Sequence, residues 1–302
     1  MKTASSSSSI IDYLLSDDAL ELVNPRPENG HGEIDWNNNT GHDRTPPPED
    51  AGKAENKEEA EVSGFLRTAA ILHTRSVAVS LCPTHPRQIL RYPHSHLTPL
   101  QNLICALILS KPLSHRLGLR TIHTLLNPPF SIRTLSDLDE AGYEGRRKIM
   151  WEARTQHKEK TASQLGDVVE GLREICGTED DDDISDLRQV HEPIQGKKDA
   201  AEAQEEVRKV LTRIKGVGPG GVGIFLRRVQ ADWEEVYPYA DDKSLAVARA
   251  FGLVEEGEGA AELSGRVKTP RDFARLLDTL VGLGLEKKVR AQMRFCSGVR
   301  CE

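Results

Sequence analysis

Cysteine is scarce in this 302-residue chain: there are five, Cys82, Cys105, Cys176, Cys296 and Cys301, odd in number and scattered. That usage suits a reducing compartment better than a disulfide framework. Only Cys296 and Cys301 lie close together, and two thiols with no histidine nearby in sequence are too few for a zinc or iron-sulfur site. No metal, no iron-sulfur cluster and no other cofactor is therefore expected. Long apolar runs are missing as well. No stretch of about 18 apolar residues occurs, which excludes a membrane-spanning helix. The N-terminal serines stand where a secretory signal needs an apolar stretch, so an intracellular protein with no membrane partner is expected. Hydrophobic residues make up only 37%, low for a chain folded throughout, so part of it is expected to be unfolded. Strand-like segments are few, which points to an all-α fold.

Positive charge is in deficit, with a formal net charge of -7, and the sum alone argues against nucleic acid. The distribution reverses that argument. Residues 1–70 carry 6 Lys/Arg against 14 Asp/Glu, and residues 176–204 carry 3 against 9. Residues 71–175 carry 14 basic against 9 acidic groups. The parts expected to fold are mildly basic, which permits DNA without requiring it.

Residues 1–63 run through a serine tract, Asn37-Asn38-Asn39, Pro46-Pro47-Pro48 and a Glu/Lys stretch, and read as a disordered acidic tail. Residues 176–204, with the low-complexity run Glu179 to Asp183, read as an acidic insert between folded parts. Between these the periodicity is helical. Thr98 is an N-cap candidate, Pro99 suits a first helical turn, and Leu100 to Leu109 is apolar nearly all round, hence buried. Further helices are expected over Leu117 to Leu126, Leu135 to Ala141 and Lys148 to Leu172. Val207, Val210, Leu211 and Ile214 fall on one face of a helix over Glu206 to Lys215.

The most informative stretch is Ile214-Lys-Gly-Val-Gly-Pro-Gly-Gly-Val-Gly223, followed by Tyr239-Ala-Asp-Asp-Lys-Ser-Leu-Ala-Val-Ala-Arg-Ala-Phe-Gly-Leu253. Gly216, Gly218 and Gly221 also fit a dinucleotide fingerprint with Asp241 beyond it, but that motif needs a preceding strand, and Glu206 to Lys215 has a helical stripe. Helix, tight Gly-Val-Gly turn, helix fits better. Gly216 and Gly218 let the backbone turn and approach a ligand closely. The backbone of Gly216, Val217, Gly218 and Gly220, with the positive end of the following helix dipole, then offers a phosphate site. Arg208, Lys209, Arg213 and Lys215 before the turn, with Arg227 and Arg228 after it, would supplement it electrostatically. Pro219 suits the first turn of the second hairpin helix, while Gly220, Gly221 and Gly223, at about 1 kcal/mol each relative to alanine inside a helix, weigh against so early a start. Asp241 would also cap a helix over Ser244 to Phe251. Its neighbour Asp242 should raise the pKa of one of the two carboxyls.

Residues 95–255 resemble the helix-hairpin-helix DNA glycosylases, a superfamily that includes endonuclease III. The resemblance rests on the Ile-Lys-Gly-Val-Gly-Pro hairpin, the Ala-Asp-Asp-Lys segment, the Ala-Arg-Ala-Phe-Gly-Leu helix, and Thr98-Pro-Leu-Gln-Asn-Leu-Ile-Cys-Ala-Leu-Ile-Leu-Ser110 as the first barrel helix. It implies a two-lobed glycosylase fold over residues 64–302: a helical barrel over residues 98–226, and a second lobe from residues 64–97 and 243–302. It implies Asp241, with Asp242 as alternative, as the group that stabilises positive charge on the sugar and orients or deprotonates water. It implies Leu113 as the wedge filling the gap left by a flipped nucleotide, and Tyr237, Tyr239 or Trp151 as stacking partners of the base. Two departures matter. Bifunctional members carry a lysine two residues past the second hairpin glycine, where this chain has Gly220, and the four-cysteine cluster motif is absent. The expectation is thus a monomeric, monofunctional N-glycosylase acting on double-stranded DNA with a damaged or mismatched base, in the nucleus rather than the mitochondrion because the acidic tail makes a poor presequence. Its rival is a catalytically silent hairpin protein that binds DNA.

Overall fold

The structure, a computed structural model, describes residues 4–25, 89–177 and 180–296. Among the described residues the secondary structure is helical, with no strand, so the fold class is all-α.

The first part is built on α3 (Pro99–Leu109). Thr98 accepts from the Gln101 amide while the Gln101 side chain accepts from the Thr98 amide, a reciprocal cap, and Pro99 occupies the first turn. Its residues from Pro99 to Ile108 are all buried, as an all-round apolar helix requires. Around it lie α4 (His115–Leu126), α5 (Leu135–Glu140), α6 (Gly142–Glu152), α7 (Lys158–Cys176), α8 (Asp181–Ser185), α9 (Arg188–His191), α10 (Ala200–Leu211) and α11 (Pro219–Val229). The closest partner of α3 is α11, the helix that follows the hairpin. The expected single helix over Lys148 to Leu172 is two helices, α6 and α7. Arg154 and His157 adopt left-handed backbone, φ 50° and 54°, and break the ladder between them.

The acidic insert is a correction. Apart from Thr178 and Glu179, which lie outside the described residues, residues 176–204 fold into α8, α9, a 3-10 turn (Glu192–Ile194) and the start of α10. Ile184, Leu187, Val190 and Ile194 recur every three or four residues and enter the first core. The low-complexity aspartates lie in the first turn of α8, where Asp180 caps the helix and negative charge is favoured.

A second core is formed by α12 (Asp242–Ala250), α13 (Ala260–Ser264), α14 (Pro270–Leu285) and, unexpectedly, α1 (Ala4–Leu14) and α2 (Asp17–Val23). The disordered tail over residues 1–63 is therefore corrected at its start. Ile11, Leu14, Ala19, Leu20 and Val23 are buried, and Ser16 caps α2. The assignment of residues 64–97 to the second lobe is corrected too where it can be followed. Tyr92 and Leu97 belong to the first core, while residues 64–88, like most of the tail, lie outside the described residues. The last helix, α15 (Val289–Cys296), buries none of its residues.

Candidate active site

The hairpin forms at the expected place. After α10 the chain turns through Ile214 to Gly218, and Gly216 takes φ +91°, a value that other residues rarely adopt. Gly218 is the N-cap of α11 and supplies no side chain to the first-turn amides, so those donors are open to a ligand. The helix begins at Pro219, the residue suited to its first turn, in spite of the glycines that weighed against so early a start. The reason is packing. A Cβ at Gly223 would sit 2.8 Å from Tyr239 Oη, and one at Gly221 3.7 Å from the Ser110 side chain at the end of α3. Close helix approach offsets the intrinsic cost of glycine.

Not all the expected phosphate contacts are placed for that task. Lys215 is exposed, 81% of its side chain, and its Nζ donates to Asp167 at 2.9 Å. Val217 is buried, and its amide already donates to the Ile214 carbonyl. Arg227 and Arg228 are corrections: both turn inward from α11, with 6% and 13% of their side chains exposed. Arg227 shares the face of α11 that carries Gly220 and Gly223, and from there it reaches Asp278 of α14. Arg227 Nη1 donates to Asp241 Oδ2 at 2.6 Å and its Nε to Asp278 Oδ1 at 3.3 Å. Arg228 Nη1 donates to Asp278 Oδ2 at 2.5 Å and its Nη2 to the Pro93 carbonyl at 3.1 Å, with the guanidinium over the Tyr92 ring.

A cavity of about 590 Å³ opens beside these groups. Its walls include Lys111, Leu113 and His115 from the end of α3 and the start of α4, Gly220 and Gly223 of α11, and Tyr239, Asp241 and Asp242. Glycines of the helix that follows the hairpin and the singled-out aspartate thus share one cavity. Asp241 is the N-cap of α12: its Oδ1 accepts from the Ser244 amide at 2.8 Å and the Ser244 hydroxyl at 2.9 Å. One carboxylate oxygen holds the helix and the other holds Arg227. Burial would raise the pKa of Asp241, but the Arg227 charge and the Ser244 hydrogen bonds outweigh it and hold the carboxyl below its ordinary value. The rise expected of one of the two adjacent carboxyls is therefore not found at Asp241. The guanidinium dominates. Asp242 is exposed on the first turn of α12.

The other expected residues divide. Leu113 and Tyr239 line the cavity, and Tyr239 is anchored by Gln230, which accepts from its amide at 2.8 Å and donates to its carbonyl at 3.0 Å. Tyr237 packs edge-on against Phe273, centroids 5.7 Å apart, at the second core. Trp151 carries Lys158 over its ring at 4.3 Å. Neither lines the cavity, so both are corrected as base-stacking candidates.

Sequence reasoning missed three groups on the wall. Asp278 is a charge inside the apolar run Leu276-Leu277-Asp278-Thr279-Leu280, an anomaly that could have drawn notice. His115 follows the Ser114 cap, and burial lowers its pKa. Asn24 ends α2, and its Oδ1 lies 3.1 Å from His115 Nε2. No local signal marks Asn24. Among the described residues no cluster of metal-ligating side chains assembles, while Cys82 and Cys301 lie outside them. No family model matches the chain, and no curated protein matches it.

Proposed function

We propose that the protein is a base-excision N-glycosylase that hydrolyses the glycosidic bond of a nucleotide flipped out of double-stranded DNA. The observation that carries the reading is the location of Asp241. A fixed, ionised carboxylate stands in the wall of a cavity that Pro219 and Gly220, in the uncapped first turn of the helix after the hairpin, also line. Departure of a base leaves positive charge on the sugar, and a carboxylate held in place by a helix terminus and a guanidinium stabilises that charge without reorganising. Because its pKa is lowered, Asp241 is a weak base, and its contribution is electrostatic stabilisation and orientation of water rather than full proton removal. Gly220 offers no amine for a Schiff base, so hydrolysis leaves an abasic site and the strand intact. Leu113, on the wall at the start of α4, is the proposed wedge. The uncapped first-turn amides of α11 and the exposed Lys215 are the proposed phosphate contacts, while the Val217 amide is already spent within the turn.

The second reading, a DNA-binding protein without chemistry, draws on the 2.6 Å ion pair that partly neutralises Asp241. One experiment separates the two. Wild type and Asp241→Asn are incubated under single-turnover conditions with duplexes bearing uracil, oxidised pyrimidine, alkylated purine or mismatched adenine, with and without alkali. Alkali-dependent cleavage by wild type, reduced at least about 100-fold in the variant, is expected. Cleavage without alkali would sink the monofunctional assignment. Binding without excision of any lesion would favour the silent protein.

A further inference from the structure

The chain places two arginines and two aspartates in a row at the cavity: Arg227, Asp241 and Asp278 line it, and Arg228 completes the row. Arg227 and Arg228 are adjacent on α11, Asp241 caps α12, and Asp278 lies in the middle of α14. Asp278 is the most deeply buried of the four, with 3% of its side chain exposed. Its two oxygens take one arginine each, Arg227 at 3.3 Å and Arg228 at 2.5 Å. Arg227 in turn divides its guanidinium between Asp278 and Asp241. Two cations thus face two anions, and the set is neutral. A buried arginine with Asp241 as its sole carboxylate would cancel the negative charge on which Asp241's role depends. A second carboxylate on the same guanidinium relieves that.

We propose that Asp278 is a positioning residue: by competing for Arg227 it sets how much positive charge bears on Asp241 and keeps the cavity wall neutral enough to stabilise a cationic transition state. The proposal rests on the glycosylase reading for its purpose, but the coupling between the two aspartates stands on the hydrogen-bond row alone.

The charges around Asp241 come from every element packed against it. Arg227 and Arg228 come from α11 and Asp278 from α14. Tyr239 comes from the α11–α12 connection with Arg208 of α10 acting on it, Asp242 and Lys243 open α12, and Lys111 and His115 line the same cavity, His115 within electrostatic reach of Arg227 and Asp278. Arg227 alone hydrogen-bonds to both Asp241 and Asp278, so it is the route by which a change at Asp278 reaches Asp241. The two ends of the row can therefore be perturbed with opposite signs. In Asp278→Asn the set carries one excess positive charge, Arg227 turns wholly to Asp241, and the carboxyl becomes harder to protonate. In Arg228→Gln, Asp278 loses its own arginine, draws Arg227 away, and Asp241 becomes easier to protonate. Loss of packing alone would not produce opposite signs.

The test is carbon-13 NMR of the full-length protein labelled at aspartate carboxyls, titrated from neutral to acid. The Asp241 signal is assigned by its loss in Asp241→Asn, and folding of each variant is checked by circular dichroism. The Asp241 midpoint is expected to move down in Asp278→Asn, up in Arg228→Gln, and to stay near wild type in Asp278→Glu, which keeps the charge. If one variant does not fold, the other together with Asp278→Glu still decides the sign. Midpoints that do not move, or move the same way in both, overturn the proposal. Single-turnover excision provides the second arm: Asp278→Asn should be slower by about tenfold or more at neutral pH. A slower rate with an unmoved midpoint makes Asp278 merely structural and also overturns the proposal. Midpoints that move apart in a protein that excises nothing leave the coupling standing and sink the glycosylase reading.

Discussion

Asp241 does two jobs through two oxygens: Oδ1 holds the start of α12, and Oδ2 holds Arg227. Its position after the hairpin and its capping role were legible in the sequence, because Asp before a helical stripe is a common N-cap. Its guanidinium partner was not, since Arg227 read as a surface cation beside a phosphate site. The lowered pKa has a consequence for stability. Unfolded, the carboxyl titrates near about 3.9, and folded it titrates lower. Its share of stability is therefore fully present above the unfolded value and is lost as pH falls toward the folded one. Urea unfolding at pH values between about 7 and 3 should show wild type losing stability on acidification more steeply than Asp241→Asn. Equal slopes would mean that the ion pair does not contribute.

At the scale of elements, α3 shows how closely local signals can agree with the structure. Thr98, Pro99 and Gln101 specify its start, and its apolar residues need no partner to be read as buried. Thr98→Ala should lower the urea midpoint by an amount equivalent to about 1 kcal/mol, with an unchanged slope. An unchanged midpoint would show that water or Gln101 alone satisfies the exposed amides. At the start of α11 Pro219 was legible, but the glycines weighed against it because propensity was taken without a neighbour. Its glycines are costly in an isolated helix, and the cost is offset only when α3 and Tyr239 come close. The insert was misread because its acidic composition concealed the spacing of Ile184, Leu187, Val190 and Ile194. Composition describes solvent exposure on average, whereas periodicity describes one face.

At the scale of the molecule, the N-terminal helices complete the second core, and Asn24 extends from them to the cavity wall. Leu14 is fully buried there. Leu14→Ala should cost about 2–5 kcal/mol in urea unfolding, the range for a large core side chain. A change within about 0.5 kcal/mol, as expected of a solvated tail, would contradict the packing. The sequence by itself determined the helical class, the hairpin, the cap of α12 and the candidate aspartate. Each of these depends on residues within a few turns of one another, and hydrogen bonds and periodicity act at that range. Tertiary structure alone decided that α1 and α2 belong to the second core, that Arg227 and Arg228 turn inward, and that Asp278 shares Arg227 with Asp241. Those pairings join residues as much as 279 positions apart, as in the hydrogen bond from Tyr13 to Gln292. A buried charge must find an opposite charge wherever the packed helices present one, and no local pattern records where that is.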